Sequence, residues 1–367
     1  MEVNRLRLTD FRNYSEATVG FGAGFNLVLG GNAQGKTSLL EAVYCLSALG
    51  SHRASSSGPM IRHEQETAYL KATGVIASTG VEVDAQLIRG AGTKVWINKQ
   101  RVGRGGKERS LAAVLFSPED LELIKGGPEL RRRYLDHAAG RAKPVSHADR
   151  VAFEKALRQR NGVLKAARTN DRALRQLDVW NYQVAAAGAA VFDNRRWILQ
   201  KLGPAIAGRY GQLAAGQEPA LCYQSEWAQE GVGDRADVEH RLLQALESNQ
   251  SRDLETATTS AGPHRDDLAI DLDGAASRWY ASQGEQRSLS LAMRLAERDV
   301  AADIHGEEPI LLLDDVFSEL DERRRRRLAE LVRTPGQAIV TATSAESVPL
   351  DPDQTLFVEG GKLDQVA

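Results

Sequence analysis

The sequence GGNAQGKT at residues 30–37 decides the fold class of this chain. It fits the phosphate-loop pattern G-x-x-x-x-G-K-[ST] at every fixed position. The apolar run FNLVL at 25–29 precedes it, and SLLEAVYCLSAL at 38–49 follows with helical spacing. A strand, a glycine-rich turn and a helix form the context that this loop requires, which disfavours a chance match on a glycine-rich turn.

The loop predicts a site for nucleotide phosphates, and the class of nucleotide enzyme stays open at this point. Its glycines let backbone N–H groups turn toward phosphate oxygens, and the helix N-terminus adds partial positive charge. Lys36 is expected to reach the β- and γ-phosphates, and the Thr37 hydroxyl is expected to hold Mg²⁺. The candidate nucleotide-binding residues are Gly30, Gly31, Asn32, Ala33, Gln34, Gly35, Lys36, Thr37 and Ser38.

The run ILLLDD at 310–315 is typical of a buried parallel strand that ends in carboxylates. Asp314 is the second expected Mg²⁺ ligand, and Asp315 stands where a catalytic base polarises the attacking water. The alternative is a strand end that faces solvent. With Lys36, these two aspartates are the candidate catalytic residues.

Two motifs of other nucleotide enzymes occur only in part. A GTPase would show N-K-x-D after a strand, but NKQR at 98–101 has the wrong fourth residue and the surroundings of a hairpin. A protein kinase would show H-R-D with a downstream Asn, and HRDDL at 264–268 lacks that Asn. A small-molecule kinase stays open, although it would leave the helical middle of the chain without a role.

Length and patterning predict an α/β domain that is split in sequence by a mostly helical second lobe. The chain has 367 residues, too many for one ordinary core. Alternating strands are expected at 69–77, 81–88 and 94–98. Helices are expected at 146–168, 178–200 and 235–248, with Asp178 as the N-cap of the second. The stretch TNDRALRQ at 169–176 is expected to be a linker, and 102–110 a mobile loop. Strands return at 268–272, 310–315 and 338–343. The expected division is 1–145 and 259–367 for the head and 146–258 for the helical lobe.

Composition excludes two further classes. The two cysteines, Cys45 and Cys222, rule out a disulfide framework and fit a reducing compartment. No apolar run approaches the roughly 18 residues of a membrane span, so a cytoplasmic protein without a membrane partner is expected.

Between Lys125 and Arg175 there are 14 Lys and Arg against 5 Asp and Glu, which suggests that this region meets a polyanion.

Two short motifs flank the acidic strand. SQGEQ at 282–286 opens a helix before ILLLDD, and SELD at 318–321 follows it. This order resembles the ABC-type ATPase head, with its mixed sheet and phosphate loop. In that family the Ser-Gly turn of one subunit contacts the γ-phosphate bound to the other, so ATP closes a dimer. The resemblance implies a signature that acts in trans, Ser282, Gln283, Gly284, Glu285 and Gln286, and a D-loop, Ser318, Glu319, Leu320 and Asp321.

Four stretches resemble the RecF family of SMC-like ATPases. They are LTDFRNY at 8–14, FSPEDLELIKGGPELRRRYLD at 116–136, AGPHRDDL at 261–268 and SQGEQRSLSLAMRLAE at 282–297. The resemblance implies ATP-bound homodimers on double-stranded, gapped or junction DNA, independent of sequence, at the nucleoid. It implies RecR and RecO as partners in loading RecA onto SSB-coated strands. It also implies a weak DNA-dependent ATPase and places Arg12 near the nucleotide phosphates.

Three positions depart from the ABC pattern. Ala281 stands where transporter-type heads have Leu, and Asp315 stands where most heads have Glu. The shorter carboxylate is expected to hold water less directly, so hydrolysis should be slow. Thr343 is a weak substitute for the usual switch His. A nucleotide-gated scaffold without turnover, and more remotely a transporter subunit, are the alternatives.

The candidate DNA-binding residues form two groups. On the helix 146–168, the side with Lys155, Arg158, Lys165 and Arg168 lies roughly opposite Phe153, Leu157 and Leu164. Such a stripe would contact phosphates without reading bases, but a solvated helix face is the alternative. The remaining candidates are Lys99, Arg101, Arg104 and Lys107 in the loop and Arg131 and Arg132 before the helix. The run Arg323–Arg327 favours a surface and dimer-interface role.

Overall fold

The fold was examined in a computed structural model that describes residues 1–48, 58–102, 111–168, 170–214, 216–228, 231–333 and 336–366. The chain divides into two compact units. Unit 1 comprises Met1–Asp120, Gly208–Gly216 and Gln283–Ala367, and unit 2 comprises Leu121–Ala207 and Gln217–Ser282. These bounds differ from the expected 1–145, 146–258 and 259–367, because a helix before residue 145 and a strand after residue 258 belong to unit 2.

The helices of the described residues are α1 Lys36–Ala48, α2 Glu122–Lys125, α3 Pro128–Ala142, α4 Pro144–Ala167, α5 Asp171–Leu174, α6 Leu177–Leu213, α7 Arg235–Ser248, α8 Gln250–Thr256, α9 Ser277–Tyr280, α10 Gln283–His305 and α11 Glu322–Val332. The strands are β1 Glu2–Phe11, β2 Tyr14–Gly20, β3 Phe25–Leu29, β4 Thr67–Ile76, β5 Thr79–Ile88, β6 Gly92–Ile97, β7 Gln100–Val102, β8 Ala113–Phe116, β9 Pro219–Gln224, β10 Asp267–Leu272, β11 Ala275–Ala276, β12 Ile310–Asp314, β13 Ala338–Ala342, β14 Gln354–Glu359 and β15 Lys362–Val366.

Unit 1 contains two six-stranded sheets. One is antiparallel, in the order β2-β1-β4-β5-β6-β7, and the other is mixed, in the order β15-β14-β3-β13-β12-β8. In the mixed sheet only β15 runs antiparallel to its neighbour. Residues of both sheets and of α1 share one hydrophobic core.

The central strands of the mixed sheet explain its parallel arrangement. All five residues of β3, β12 and β13 are buried. Strands covered on both faces read as continuous apolar runs, as FNLVL and ILLLD do. Parallel strands end at the same edge, so the loop after β3 and the carboxylates after β12 lie together there.

Unit 2 is mainly helical, with the small sheet β11-β10-β9. Its core joins α4, α6 and α7 through Phe153, Val184 and Leu242. Within it Arg160 and Asp253, both 0% exposed, form an ion pair at 2.7 Å. Asn181 and Thr259 accept further hydrogen bonds from the same guanidinium.

Two expectations about the helical region need correction. The second helix runs over Leu177–Leu213 rather than 178–200, so Asp178 lies in its first turn and is not the N-cap. The expected linker contains the short helix Asp171–Leu174, where the Asn170 side chain accepts from the backbone of Arg172. The longer α6 continues through Pro204, which lacks a backbone N–H and so removes one hydrogen bond without ending the helix.

Candidate nucleotide-binding site

Two glycines of the loop 30–37 stand where a side chain has no room. Gly35 has a φ of 122°, and a Cβ there would lie 2.8 Å from the Tyr14 hydroxyl. A Cβ on Gly30 would lie 2.4 Å from the carbonyl oxygen of Val358. Ala33 also adopts a positive φ, 62°. The glycine spacing of the motif is therefore a packing requirement as well as a conformational one.

Residues distant in sequence hold the loop in place. The Asn13 side chain donates to the Gln34 carbonyl at 2.9 Å, and the Tyr14 hydroxyl donates to the Gly35 carbonyl at 3.0 Å. On the other side, the Gly361 N–H donates to the Gln34 carbonyl at 3.1 Å. Burial raises the pKa of Tyr14 well above its usual value, so the phenol stays a proton donor. Residues at the β1–β2 turn and at the β14–β15 turn therefore both hold the loop in place.

The Lys36 ammonium lies inside the curve of the loop. Its Nζ donates to the carbonyls of Gly30 and Gly31, each at 2.8 Å, and the residue is 7% exposed. Burial lowers the pKa of Lys36, and the charges of Asp315 and Asp314 partly oppose that shift. The amine therefore stands inside the loop, where a phosphate-loop lysine reaches the β- and γ-phosphates.

Asp314, at the end of β12, accepts hydrogen bonds from two threonine hydroxyls. Thr37 Oγ1 lies 2.8 Å from Oδ2, and Thr341 Oγ1 lies 2.7 Å from Oδ1. The pairing of Thr37 with Asp314 brings together the two expected Mg²⁺ ligands. Hydroxyl and carboxylate oxygens are the ligands that Mg²⁺ prefers, so this donor set fits the ion.

Asp315 has a left-handed backbone, with a φ of 50°. Its N–H donates to Thr341 Oγ1 at 2.9 Å, and its carbonyl accepts from the Ser318 hydroxyl at 2.8 Å. Its Oδ1 is buried and has no hydrogen-bond partner in the described part of the chain. A buried carboxylate oxygen without a partner has unused hydrogen-bonding capacity, and the role of Asp315 as the base stays a prediction.

These residues surround a cavity of about 700 Å³ in unit 1. Arg12 lines it but is held by a two-pronged ion pair with Glu41, at 2.7 and 2.8 Å, and by the Pro59 carbonyl at 2.7 Å. Glu41 is 1% exposed. Arg12 therefore lines the cavity with its side chain fixed in position and its charge paired with that of Glu41. The cavity is lined by Arg12, Asn13, Asn32, Ala33, Gly35, Lys36, Thr37, Ser38, Gly58, Pro59, Ile61, His63, Arg89, Asp314 and Asp315.

Sequence reasoning missed several of these residues. Arg89 and His63 line the cavity, but neither belongs to a motif. The threonine on the acidic centre is Thr341, whereas the predicted Thr343 is exposed. No local signal singles out Thr341, because its contact with Asp314 depends on the pairing of β12 with β13.

The signature residues open α10, which begins at Gln283. Ser282 is exposed and Gln286 is buried. A Cβ on Gly284 would lie 2.6 Å from Nη1 of Arg324, so this glycine permits a close approach of the arginine. In the described part of unit 1, none of residues 283–286 lines the phosphate-loop cavity. Their action in trans stays a prediction.

The predicted D-loop contacts α10. Arg287 donates to the Glu319 carbonyl at 3.2 Å and pairs with the Glu319 carboxylate at 3.2 Å. Asp321 caps α11 and binds Arg324 Nη1 at 2.9 Å. The arginines of the run Arg323–Arg327 have different partners. Arg325 donates to the Phe317 carbonyl, Arg327 to the Leu213 carbonyl, and Arg326 pairs with Glu322, while Arg323 is exposed.

The candidate DNA-binding residues have different environments. Arg131 is 6% exposed and forms a two-pronged ion pair with Asp267 at 2.8 Å, so it serves the fold and its assignment to DNA is corrected. Arg132 is half-buried and donates to the Asp266 carbonyl at 2.6 Å. All four stripe residues are exposed, as are Lys99 and Arg101; Arg104 and Lys107 lie outside the described residues. DNA contact by these exposed residues stays a prediction.

The two partial motifs serve the fold. Asn98 and Lys99 have φ values of 49° and 66° and form the two-residue turn between β6 and β7. In unit 2, His264 Nε2 lies 2.9 Å from the Thr259 carbonyl oxygen, and burial lowers its pKa to about 4. Asp266 accepts from Tyr223 and Trp227, and burial raises its pKa to about 6.

Comparison with known proteins decides the family. The model of the RecF/RecN/SMC N-terminal domain matches residues 2–356. The DNA replication and repair protein RecF of Acidothermus cellulolyticus is 38% identical over 353 residues, which cover 94% of this chain and 95% of the relative. This chain belongs to the RecF family. The recognition made from the four sequence stretches is therefore confirmed.

Solved structures agree on the fold. The recombination mediator RecF, solved as RecF-ATPrS in the RecFOR pathway, gives a TM-score of 0.92 at 28% identity, covering 100% of this chain and 98% of that one. An SMC head bound to the C-terminal winged-helix domain of ScpA gives 0.57 at 16% identity, with 100% and 97% coverage, and supports the fold alone. The ABC-type head prediction is confirmed. In the described residues, no helix is long and apolar enough to cross a membrane.

Proposed function

We propose that this RecF-family protein is an ATP-operated DNA-binding clamp of recombinational repair and replication-fork maintenance. One observation carries the proposal. Lys36, Thr37 and Asp314 form a phosphate and Mg²⁺ site, whereas residues 283–286 in the same unit do not line its cavity. A Ser hydroxyl and backbone N–H groups at a helix start make a site for a phosphate. A second copy supplies it, so ATP joins two copies.

ATP is the proposed nucleotide, and a RecF relative has been solved as RecF-ATP. Mg²⁺, held by Thr37 and Asp314, would neutralise charge between the β- and γ-phosphates. Lys36 exchanges its carbonyl partners for phosphate oxygens. Asp315 orients the attacking water through its unpartnered oxygen and accepts the water's proton. Because aspartate is short, turnover is weak and DNA-dependent, and ATP binding itself is the switch.

DNA is the proposed polyanion for unit 2. The exposed stripe Lys155, Arg158, Lys165 and Arg168 contacts phosphates independently of sequence. Lys99 and Arg101, exposed in unit 1, are a separate proposed phosphate contact. The relatives carry the name DNA replication and repair protein, which supports this ligand. Duplex with gaps or junctions is the proposed substrate, and RecR and RecO are the proposed partners for loading RecA on SSB-coated strands. A cytoplasmic, nucleoid-associated location follows from these partners.

Sedimentation with and without ATP and Mg²⁺ tests the clamp. The mass is expected to double with both, and Lys36→Met is expected to stay monomeric because it lacks the phosphate ligand. An unchanged mass in the wild type contradicts the clamp. Binding to gapped and to plain duplex, measured with and without ATP, then tests the DNA substrate.

Ser282→Arg separates the two halves of the site. The variant keeps its own phosphate loop, so it is expected to bind ATP normally but to remain a monomer. Ser318→Arg, in the predicted D-loop, is its companion and is likewise expected to bind ATP but to remain a monomer. Loss of ATP binding by Ser282→Arg would contradict the action in trans.

A further inference from the structure

A second cavity, of about 460 Å³, lies within unit 2. We call it the arginine cavity. Its lining includes Arg241 of α7, Arg252 of α8 and Arg265, which precedes β10. Pockets of this size accept ligands as large as a nucleotide. None of the sites described above uses it.

Two of the three arginines carry uncompensated charge. Arg252 is exposed and forms no ion pair with any residue that the structure describes. Arg265 donates only to a neutral group, the Thr259 carbonyl, at 3.3 and 3.4 Å. Arg241, by contrast, is paired with Asp237 at 2.9 Å. Adjacent guanidinium groups without acidic partners attract a phosphate, which they bind with two parallel N–H donors.

The acidic residues of the lining form no ion pair with the three arginines in the described residues. Asp266 accepts from Trp227 Nε1 at 2.9 Å and from the Tyr223 hydroxyl at 2.8 Å, so both its oxygens are engaged. Glu226 is exposed at the cavity and has no salt bridge to any of the three arginines in the described residues. The lining therefore carries three arginines against two carboxylates, and Arg252 and Arg265 are the two of these arginines outside any ion pair in the described residues.

Two further side chains suit the rest of a nucleotide. The Ser260 hydroxyl is buried and has no hydrogen-bond partner within the described ranges, so a polar ligand atom would satisfy it. The Trp227 indole forms part of the wall and is held in orientation by Asp266 and by the Phe192 ring, 5.0 Å away. A fixed indole is a surface on which an unpaired base stacks.

The arginine cavity adjoins the basic stripe of α4. Asn161 lies three residues after Arg158 and four before Lys165, on the same side of the helix. Its Oδ1 accepts from the N–H and the hydroxyl of Thr259, at 2.9 and 2.7 Å. Thr259 is in turn bonded to Arg265 and precedes Ser260. A strand that follows the stripe therefore meets the rim of the cavity.

We propose that the arginine cavity binds one unpaired nucleotide of a DNA strand, with its phosphate on Arg252 and Arg265 and its base on Trp227. This inference rests on the proposed DNA binding and extends it from sequence-tolerant phosphate contacts to a pocket for a single-stranded position. The phosphate is either an internal diester or a terminal monoester, and both have the same chemistry toward the arginines.

The test uses the full-length Arg252→Ala/Arg265→Ala variant and gapped duplex DNA. Loss of both donors to one phosphate is expected to weaken binding about tenfold and to reduce the slope of log K against log salt by about 0.7. Arg235→Ala is the matched control, because Arg235 is an exposed arginine of α7 that does not line the cavity. Both target arginines are exposed, so the thermal unfolding midpoint should be unchanged.

Photo-crosslinking gives an independent reading. DNA with 5-iododeoxyuridine in its single-stranded gap is expected to form an adduct on Trp227 in the wild type and not in the double variant. A second comparison uses strands with a 5′-phosphate or a 5′-hydroxyl. If wild type binds the 5′-hydroxyl strand as weakly as the variant binds the 5′-phosphorylated strand, the ligand is the terminal monoester. If wild type binds both strands equally, the ligand is the internal diester.

The outcomes separate the two proposals. Unchanged affinity and slope in the double variant, with no Trp227 adduct in a wild type that binds DNA, overturns the nucleotide pocket alone. A wild type that binds no gapped DNA overturns the proposed function as well.

Discussion

The Thr341 hydroxyl donates to the Asp314 carboxylate at 2.7 Å and links the ends of two adjacent parallel strands. The same hydroxyl accepts the N–H of Asp315 at 2.9 Å. One side chain therefore orients both aspartates at the edge of the mixed sheet. Thr341 is fully buried, so no water replaces it when it is removed.

Thr341→Val keeps the volume of the side chain but removes both hydrogen bonds. Leaving a buried acceptor and a backbone donor with fewer partners is expected to cost about 1–3 kcal/mol of unfolding free energy. ATP affinity in Mg²⁺ should fall as well, because Asp314 is less well oriented. Urea unfolding and ATP titration measure the two effects. Thr341→Ser retains the hydroxyl and should behave like the wild type; equal losses in both variants would point to packing instead.

Asp315→Asn tests the proposed base. Asparagine tolerates the left-handed backbone at this position, so the fold should be preserved. The amide cannot accept the proton of water, and phosphate release with gapped DNA is expected to fall at least a hundredfold. ATP should still close the dimer, which would then persist. If wild type and variant release phosphate equally slowly, the protein is a nucleotide-gated scaffold and the enzyme proposal is wrong.

Arg160→Met tests the buried ion pair of unit 2. Removing one partner leaves Asp253 charged and unpaired where both groups are 0% exposed. The expected loss is about 3–5 kcal/mol of unfolding free energy. The double variant Arg160→Met/Asp253→Leu removes both charges and should recover much of that loss in urea unfolding. No recovery would mean that the hydrogen bonds to Asn181 and Thr259 dominate.

Two buried groups of unit 2 should give opposite pH dependences. The pKa of His264 is lowered to about 4, so its contribution to stability is present above about pH 6.5 and is lost as pH falls toward 4. The pKa of Asp266 is raised to about 6, so its contribution is largest below about pH 4 and is lost as pH rises toward 6. In the wild type the two slopes largely cancel between pH 4 and 6.

Single substitutions should expose each slope. Relative to wild type, Asp266→Asn is expected to lose stability as pH falls from 6 to 4, by up to about 1.4 kcal/mol per pH unit. His264→Gln is expected to gain relative stability over the same window. Urea unfolding across pH 4–7 measures both, and parallel curves for all three proteins would refute the two pKa shifts.

Local sequence signals predicted the parts of the site that are contiguous in the chain. The strand β3, the loop and α1 follow one another, so a single stretch determined them. Thr341 could not be assigned this way, because its contact with Asp314 depends on the register of two neighbouring strands. Arg131 was misassigned for a similar reason. Its partner Asp267 lies 136 residues away, and nothing local distinguishes a buried arginine from a DNA-binding one.

The position of β3 has a consequence for biosynthesis. This strand is translated before its partners in the sheet, β13 and β14, which begin at Ala338 and Gln354. The loop that follows β3 also depends on Gly361 for one of its hydrogen bonds. Contacts of such long range form late and slowly. While a ribosome is still translating the middle of the message, the nascent chain already carries its phosphate loop but lacks the strands that hold it. Competence for ATP therefore requires β13, β14 and Gly361, which are translated long after the loop that they hold.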